Sequence, residues 1–240
     1  MHIYALYAAK PQAFGPRGAP SAIVKSQVSQ LTVLDAGTLE DEQGNKKLHG
    51  GPEKVLHQYS FEGYEKLSQT YPDGDFSYGT IGENFLVEGM HDNNVYVGDV
   101  YQMGSVTVQV SAPRAPCNKI SHRYGIKNLD RFVGQHGITG WYFRVLETGP
   151  LLQHDTVTLI ERPDETVCIG ALMRCMYDDN MKADAACYAQ MEVLEDYIER
   201  KRALAHRYAA WFSEKGYELF LEPENSRSNY WINAFFTKNR

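Results

Sequence analysis

The sequence predicts a mainly β protein with helices, a barrel or sandwich followed by a C-terminal helical extension. Three observations carry that expectation. Short runs rich in Val, Ile, Tyr and Phe recur at regular spacing as far as Ile160, separated by clusters of Gly, Pro, Asn and Asp. From Thr166 onward the apolar period changes from that of a strand to that of a helix. A chain of 240 residues can bury one good core, or one core plus a smaller appendage. The change of period divides the chain into a β domain over 1–163 and an extension over 164–240.

Composition narrows the function classes. The apolar and charged fractions, 43% and 22%, are ordinary for a globular protein. A formal charge of -6 argues against general affinity for nucleic acid or anionic membrane, so any anion site must be local. No apolar run approaches membrane-spanning length, and Met1 to Tyr7 lacks the basic region and longer apolar core of a signal peptide. A cytoplasmic protein is expected. The four cysteines, Cys117, Cys168, Cys175 and Cys187, fit neither a secreted disulfide framework nor a zinc spacing, as a reducing compartment would have it.

Taken in order, residues 10–20 are turn-rich, and Ser21 to Val28 alternates like a half-buried strand. Lys25 then shares the apolar face with Ile23, which suits either an edge lysine or one that reaches into a cavity. A strand at 30–34 leads to the acidic loop Leu39-Glu40-Asp41-Glu42-Gln43. In Lys46-Lys47-Leu48-His49-Gly50-Gly51-Pro52, paired glycines allow close backbone approach, and His49 and the lysines supply donors for a phosphate or oxo group. A glycine turn with a surface histidine is the plainer alternative. Val55 to Tyr59 is a strand, and Phe61 to Leu67 a short amphipathic helix stopped by Pro72 and Gly74.

Gly79 to Val87 is a glycine-flanked turn into a strand, and Asn93 to Tyr101 a strand pair turning at Gly98-Asp99. The strand Ser105 to Ser111 feeds Ala112-Pro113-Arg114-Ala115-Pro116-Cys117, a loop stiffened by two prolines that presents Cys117 where a polar helix begins. A helix N-terminus with Arg114 and Lys119 nearby would favour the thiolate, which makes Cys117 a candidate reactive or metal-binding thiol; the alternative is an inert buried cysteine. Residues 118–124 and 129–136 are helical in pattern. Gly137 to Leu146 is an aromatic strand with Trp141, Phe143 and Val145 on one face and Tyr142, Arg144 and Leu146 on the other. Trp141 is expected in the core, and Val157 to Ile160 closes the β region.

Beyond it, 167–173 and 183–213 carry helical periodicity, while 217–221 and 230–236 alternate like strands. The last is long and aromatic, an exposed association or aggregation edge unless something covers it, and a homodimer is among the expected partnerships.

Gly18-Ala19-Pro20-Ser21-Ala22-Ile23-Val24-Lys25, Lys47-Leu48-His49-Gly50-Gly51-Pro52, Gly82-Glu83-Asn84, Asn94-Val95-Tyr96-Val97-Gly98-Asp99 and Pro113-Arg114-Ala115-Pro116-Cys117, in this order, resemble the MOSC family. The likeness covers roughly residues 2–178 and is nearest to the small bacterial YiiM-type members. It implies a β-barrel of the pyruvate-kinase β-barrel type and a molybdenum cofactor on molybdopterin. It further implies reduction of N-hydroxylated compounds such as 6-hydroxylaminopurine to amines, a detoxification. By the same resemblance Cys117 is the thiolate ligand of molybdenum and the catalytic position. Lys25, His49, Gly50, Gly51, Asn84 and Arg114 are the cofactor-binding residues it implies.

Residue chemistry agrees, because a thiophilic metal needs a deprotonated thiol and a pterin phosphate needs fixed donors. Arg114 could instead serve only the thiol, and Lys119 or Arg144 could take the phosphate role. The sequence has no dinucleotide fingerprint and no iron–sulfur cysteine cluster, so electrons are expected from a separate reductase. A molybdopterin or sulfur carrier without turnover, or an aminotransferase-related fusion fragment, is the alternative. Residues 186–205 and 222–233 resemble part of the DegT-type sugar aminotransferases, after the pyridoxal-phosphate lysine of that family, so 183–240 reads as a fused fragment without catalysis of its own.

Overall fold

The computed structural model describes residues 1–164, 166–178 and, toward the C-terminus, 202–203, 206–207, 209–211 and 213–216. The chain divides into two compact units, Met1–Gln190 and Met191–Arg240. In the second, the described residues of 202–214 are helical. The aminotransferase-like stretch over 183–240 and its two expected strands lie almost wholly outside the described residues.

The first unit opens with β1 (Ile3–Ala8), the hairpin β2 (Gln12–Phe14) and β3 (Ala19–Ser21), β4 (Ser26–Val28), β5 (Gln30–Leu34) and β6 (Gly37–Thr38). A short helix, α1 (Lys46–His49), and a 3-10 turn at Pro52–Lys54 precede β7 (Leu56–Tyr59), α2 (Phe61–Thr70) and β8 (Phe85–Val87). Then come β9 (Val100–Met103), β10 (Val106–Pro113), α3 (Lys119–Tyr124), α4 (Leu129–His136), β11 (Trp141–Glu147), β12 (Gly149–Leu152), β13 (Val157–Glu161) and α5 (Ile169–Tyr177). Eight strands form one mixed sheet in the order β13-β9-β10-β11-β7-β8-β1-β4, with only β7 and β8 parallel.

That sheet curls until β13, at one end, meets the start of β1 near the other. The Val157 N–H donates to the Met1 carbonyl at 2.8 Å, Ile3 N–H to Asp155 at 3.0 Å and His154 N–H to Ile3 at 2.9 Å, around an antiparallel His2–Thr156 bridge. The mainly β, barrel-type class expected from the strand spacing is the observed one. Inside lie Ile3, Leu56, Phe85, Val108, Phe143 and Trp141, all fully buried, with Phe85 and Phe143 stacked at 5.8 Å. A second core sits between the outer sheet face and the helices, joining Ala5, Tyr7, Tyr59 and Leu86 to Tyr64, Leu67, Ile120, Leu129 and Val133. Strands β1 and β8 are therefore covered on both faces, which is why they read as apolar runs and not as an alternation. Helix α5 packs on α4 and β10 within this first unit.

Several local expectations change. Residues 21–28 are not one strand, because the chain leaves β3 at Ser21, whose Oγ accepts from Ile23 N–H, and re-enters the sheet at Ser26. The Asn93 to Tyr101 strand pair is a turn: the Asp99 carboxylate accepts from Tyr96 N–H at 3.0 Å and from Tyr101 Oη at 3.0 Å, competing with a ladder. Strand β10 runs through Pro113, so only Arg114 to Cys117 is loop. Proline is tolerated there because the pairing ends at Pro113–Trp141.

Candidate functional site

A cleft with about 590 Å³ of space, part of it open solvent, lies on the outer face of β7 and β11. Its wall collects Lys25 from the loop between β3 and β4, Asp41 from the acidic loop, His49 from the end of α1, His57 from β7 and Asn84 from the entry to β8. Arg114, Cys117 and Lys119 arrive from the segment after β10, and Tyr142 from β11. Strand register explains part of this convergence. His57 pairs with Tyr142 in the ladder and their rings lie 5.5 Å apart, on the sheet face opposite Trp141 and Phe143.

The cations are built in. Arg114 is buried, its N–H donates to the Gly140 carbonyl at 3.0 Å, and its guanidinium Nη1 has no protein partner. A buried charged donor without an acceptor is costly, which marks this end of the cleft as shaped for an anion. Lys54 stands 5.8 Å over the Tyr142 ring, and Lys119 Nζ reaches the Pro20 carbonyl at 2.8 Å. Burial, then Arg114, Lys54 and Lys119, hold the His49 imidazole down to about 4, so it is neutral near pH 7. Its Nδ1 lies 3.4 Å from Tyr142 Oη. His57 is pushed well below the usual histidine value by burial and then by Arg114, and its Nε2 has no partner. Tyr142 is raised by burial.

Lys25 behaves differently. Its side chain is 4% exposed and forms an ion pair with Asp41, itself 6% exposed. Asp41 also accepts from Ala9 N–H at 2.8 Å and from Asn84 Nδ2 at 2.9 Å. Asn84 Oδ1 in turn accepts from His57 N–H at 3.0 Å. Both ends of the Asn84 amide are thus engaged with the protein.

Of the residues singled out in the sequence, Lys25, His49, Asn84, Arg114 and Cys117 line this cleft, and so does Lys119. The Gly50 and Gly51 backbone does not. Gly50 N–H closes α1 onto the Lys46 carbonyl at 3.0 Å, and a Cβ at Gly50 would meet that carbonyl at 2.7 Å. Gly51 at φ +100° starts the 3-10 turn. The glycines are there for the tight change of direction, not as an open row of donors. Arg144 also lies off the cleft, with Nε 3.4 Å from Glu53. Cys117 stands half-buried before Asn118, the N-cap of a helix of only six residues.

Sequence reasoning passed over Asp41, Lys54, His57 and Tyr142. Asp41 was hidden in an acidic loop that reads as solvated. His57 and Tyr142 were legible only as strand positions alternating with apolar neighbours.

The MOSC domain family matches residues 45–158, and Escherichia coli Protein YiiM is 35% identical over 160 residues, 65% of this chain and 71% of that protein. The chain belongs to the MOSC-domain family. Uncharacterized protein YflK of Bacillus subtilis is 32% identical over 180 residues, covering 74% of this chain and 81% of that one. A Gibberella moniliformis protein named Reductase is 37% identical over 147 residues, 60% of this chain but 26% of that protein. The crystal structure of YiiM from Geobacillus stearothermophilus superposes with a TM-score of 0.64 at 27% identity, covering 78% of this chain and 87% of that one. The five segments that suggested the family begin before the matched MOSC stretch, and Lys25 and Asp41 lie outside it.

Proposed function

We propose that this MOSC-domain protein binds a molybdenum–molybdopterin cofactor through Cys117 and reduces N-hydroxylated compounds, N-hydroxylated purines among them, to amines. The observation that carries the reading is a half-buried thiol in the same cleft as a buried arginine whose Nη1 has no protein partner. The donor set fits the group: one soft ligand for a thiophilic metal, and Arg114, Lys54 and Lys119 for a phosphate. A relative named Reductase, of which this chain matches 26%, supports a redox role.

When bound, the cofactor supplies two-electron chemistry at the N–O bond; overall, hydroxylamine, two electrons and two protons give amine and water. The residues of the chain hold and orient. Arg114 offers its free Nη1 to an anionic group, and the neutral His49 and Tyr142 present hydrogen-bonding atoms without adding charge. Trp141 and Phe143 close the sheet behind Tyr142 and keep water out of the wall. Electrons come from a separate reductase.

Elemental and pterin analysis of protein made in a molybdopterin-competent host tests the proposal. Metal and pterin are expected in stoichiometric amount and absent from Cys117→Ala; full cofactor in that variant would refute the ligand assignment. The loaded protein should turn over 6-hydroxylaminopurine with an artificial electron donor. Bound cofactor without turnover would point to a carrier.

A further inference from the structure

Lys25 is a long, flexible cation whose side chain is buried at the cleft wall. Its own loop contributes one backbone hydrogen bond, from Lys25 N–H to the Gly79 carbonyl at 3.4 Å. What holds the ammonium is Asp41. That carboxylate is braced in turn: Oδ1 accepts from Ala9 N–H at 2.8 Å, and Oδ2 from Asn84 Nδ2 at 2.9 Å. Asn84 is locked by His57 N–H at 3.0 Å, so the chain Lys25, Asp41, Asn84, His57 runs along the wall and ties together segments remote in sequence.

We propose that Asp41 is the positioning residue of the cleft, a braced carboxylate that keeps the Lys25 ammonium charged and in place where an anionic group is received. The inference rests on the reading of the cleft as an anion-accepting site. Burying an ammonium without a partner favours its neutral form, and Arg114 pushes the same way; the Asp41 and Glu83 carboxylates oppose both. His57, the remaining titratable group beside Lys25, is neutral near pH 7. Burial is the largest influence and leaves the amine below the usual lysine value, so the charge Lys25 keeps in the wall leans on its contact with Asp41.

The test turns on a sign. If Asp41 acted only through its own negative charge, Asp41→Asn would tighten binding of inorganic phosphate to the cofactor-free protein. A positioning role predicts the reverse, a loss of roughly tenfold or more, the worth of one charge-assisted hydrogen bond. Lys25→Met should show the same loss, and the double variant, which removes the buried pair together, should lose no more than either. Acetylation of Lys25 as a function of pH, followed by mass spectrometry, gives an independent readout. In Asp41→Asn its midpoint moves, downward if the amine stays in the wall or upward to that of an exposed lysine if it swings out, and either shift supports the proposal. An unchanged Lys25 profile, or tighter phosphate binding, overturns it and leaves the anion-site reading standing. Absence of phosphate binding to the unaltered protein overturns the anion-site reading, and with it the role given to Asp41.

Discussion

Asn84 shows how a residue singled out as a cofactor contact can be engaged elsewhere. Its Oδ1 faces a backbone donor, His57 N–H, and its Nδ2 faces the Asp41 carboxylate, so the orientation of the amide is fixed by partners of opposite kind. Asn84→Asp would set two carboxylates against each other in a buried wall. We expect a loss of roughly 3 kcal/mol at pH 8, smaller at pH 5 where one carboxyl takes a proton, measured by urea denaturation at both values. Equal losses at the two pH values would show that lost geometry, not repulsion, is responsible.

At the scale of elements, the site depends on how β7, α2 and β11 are joined. Ser60 caps α2 by accepting from Gly63 N–H at 3.1 Å and donates to Asp92 Oδ2 at 3.1 Å. Asp92 Oδ1 then accepts from Thr139 and Gly140 N–H, both at 2.8 Å, just before β11. Ser60→Ala should cost about 1–2 kcal/mol in chemical denaturation, because a cap and a buried partner go together. Gly140 has φ +68°, and a Cβ there would lie 2.2 Å from the Gln58 carbonyl. Gly140→Ala is expected to destabilise by on the order of 3 kcal/mol and to disturb Arg114, whose N–H rests on the Gly140 carbonyl. A circular-dichroism melt indistinguishable from that of the unaltered protein would contradict this.

The whole molecule should register the buried titratable groups as a pH dependence of stability. His49 and His57 take up protons near 6.5 when unfolded but only at much lower pH when folded, His49 at about 4. The unfolded chain binds those protons first, so stability falls as pH drops below 6.5. Asp92 works in the opposite direction: burial raises it from 3.8 to about 6, so the folded state is protonated first and gains stability as pH falls below 6. Buried Glu83, also raised, adds to that gain. Thermal midpoints should therefore decline from pH 7 to 6 and flatten below. In Asp92→Asn the decline should continue below pH 6, and a profile identical to the unaltered protein would rule out this role for Asp92.

Much of the β domain was legible because burial imposes a period on a strand and Gly or Pro marks where it stops. Strands at 30–34, 56–59 and 157–161, helices at 119–124 and 129–136, and the two faces of Trp141 and Tyr142 all follow from local rules. So did the thiol at Cys117 and the cations around it, since residue type alone limits what chemistry a site can do. Closure of the sheet through Met1 and Val157, the split of 21–28 and the Asp99 turn were not legible, because each depends on partners remote in sequence.

The same holds for the cleft. Composition and motif determined that this chain has a soft ligand and fixed cations to offer. Only the tertiary structure decided that Asp41, from a loop that looks solvated, is buried against Lys25, and that Gly50 and Gly51 serve the turn. Pairing energies between charges depend on distance and burial, and neither is written in the order of residues.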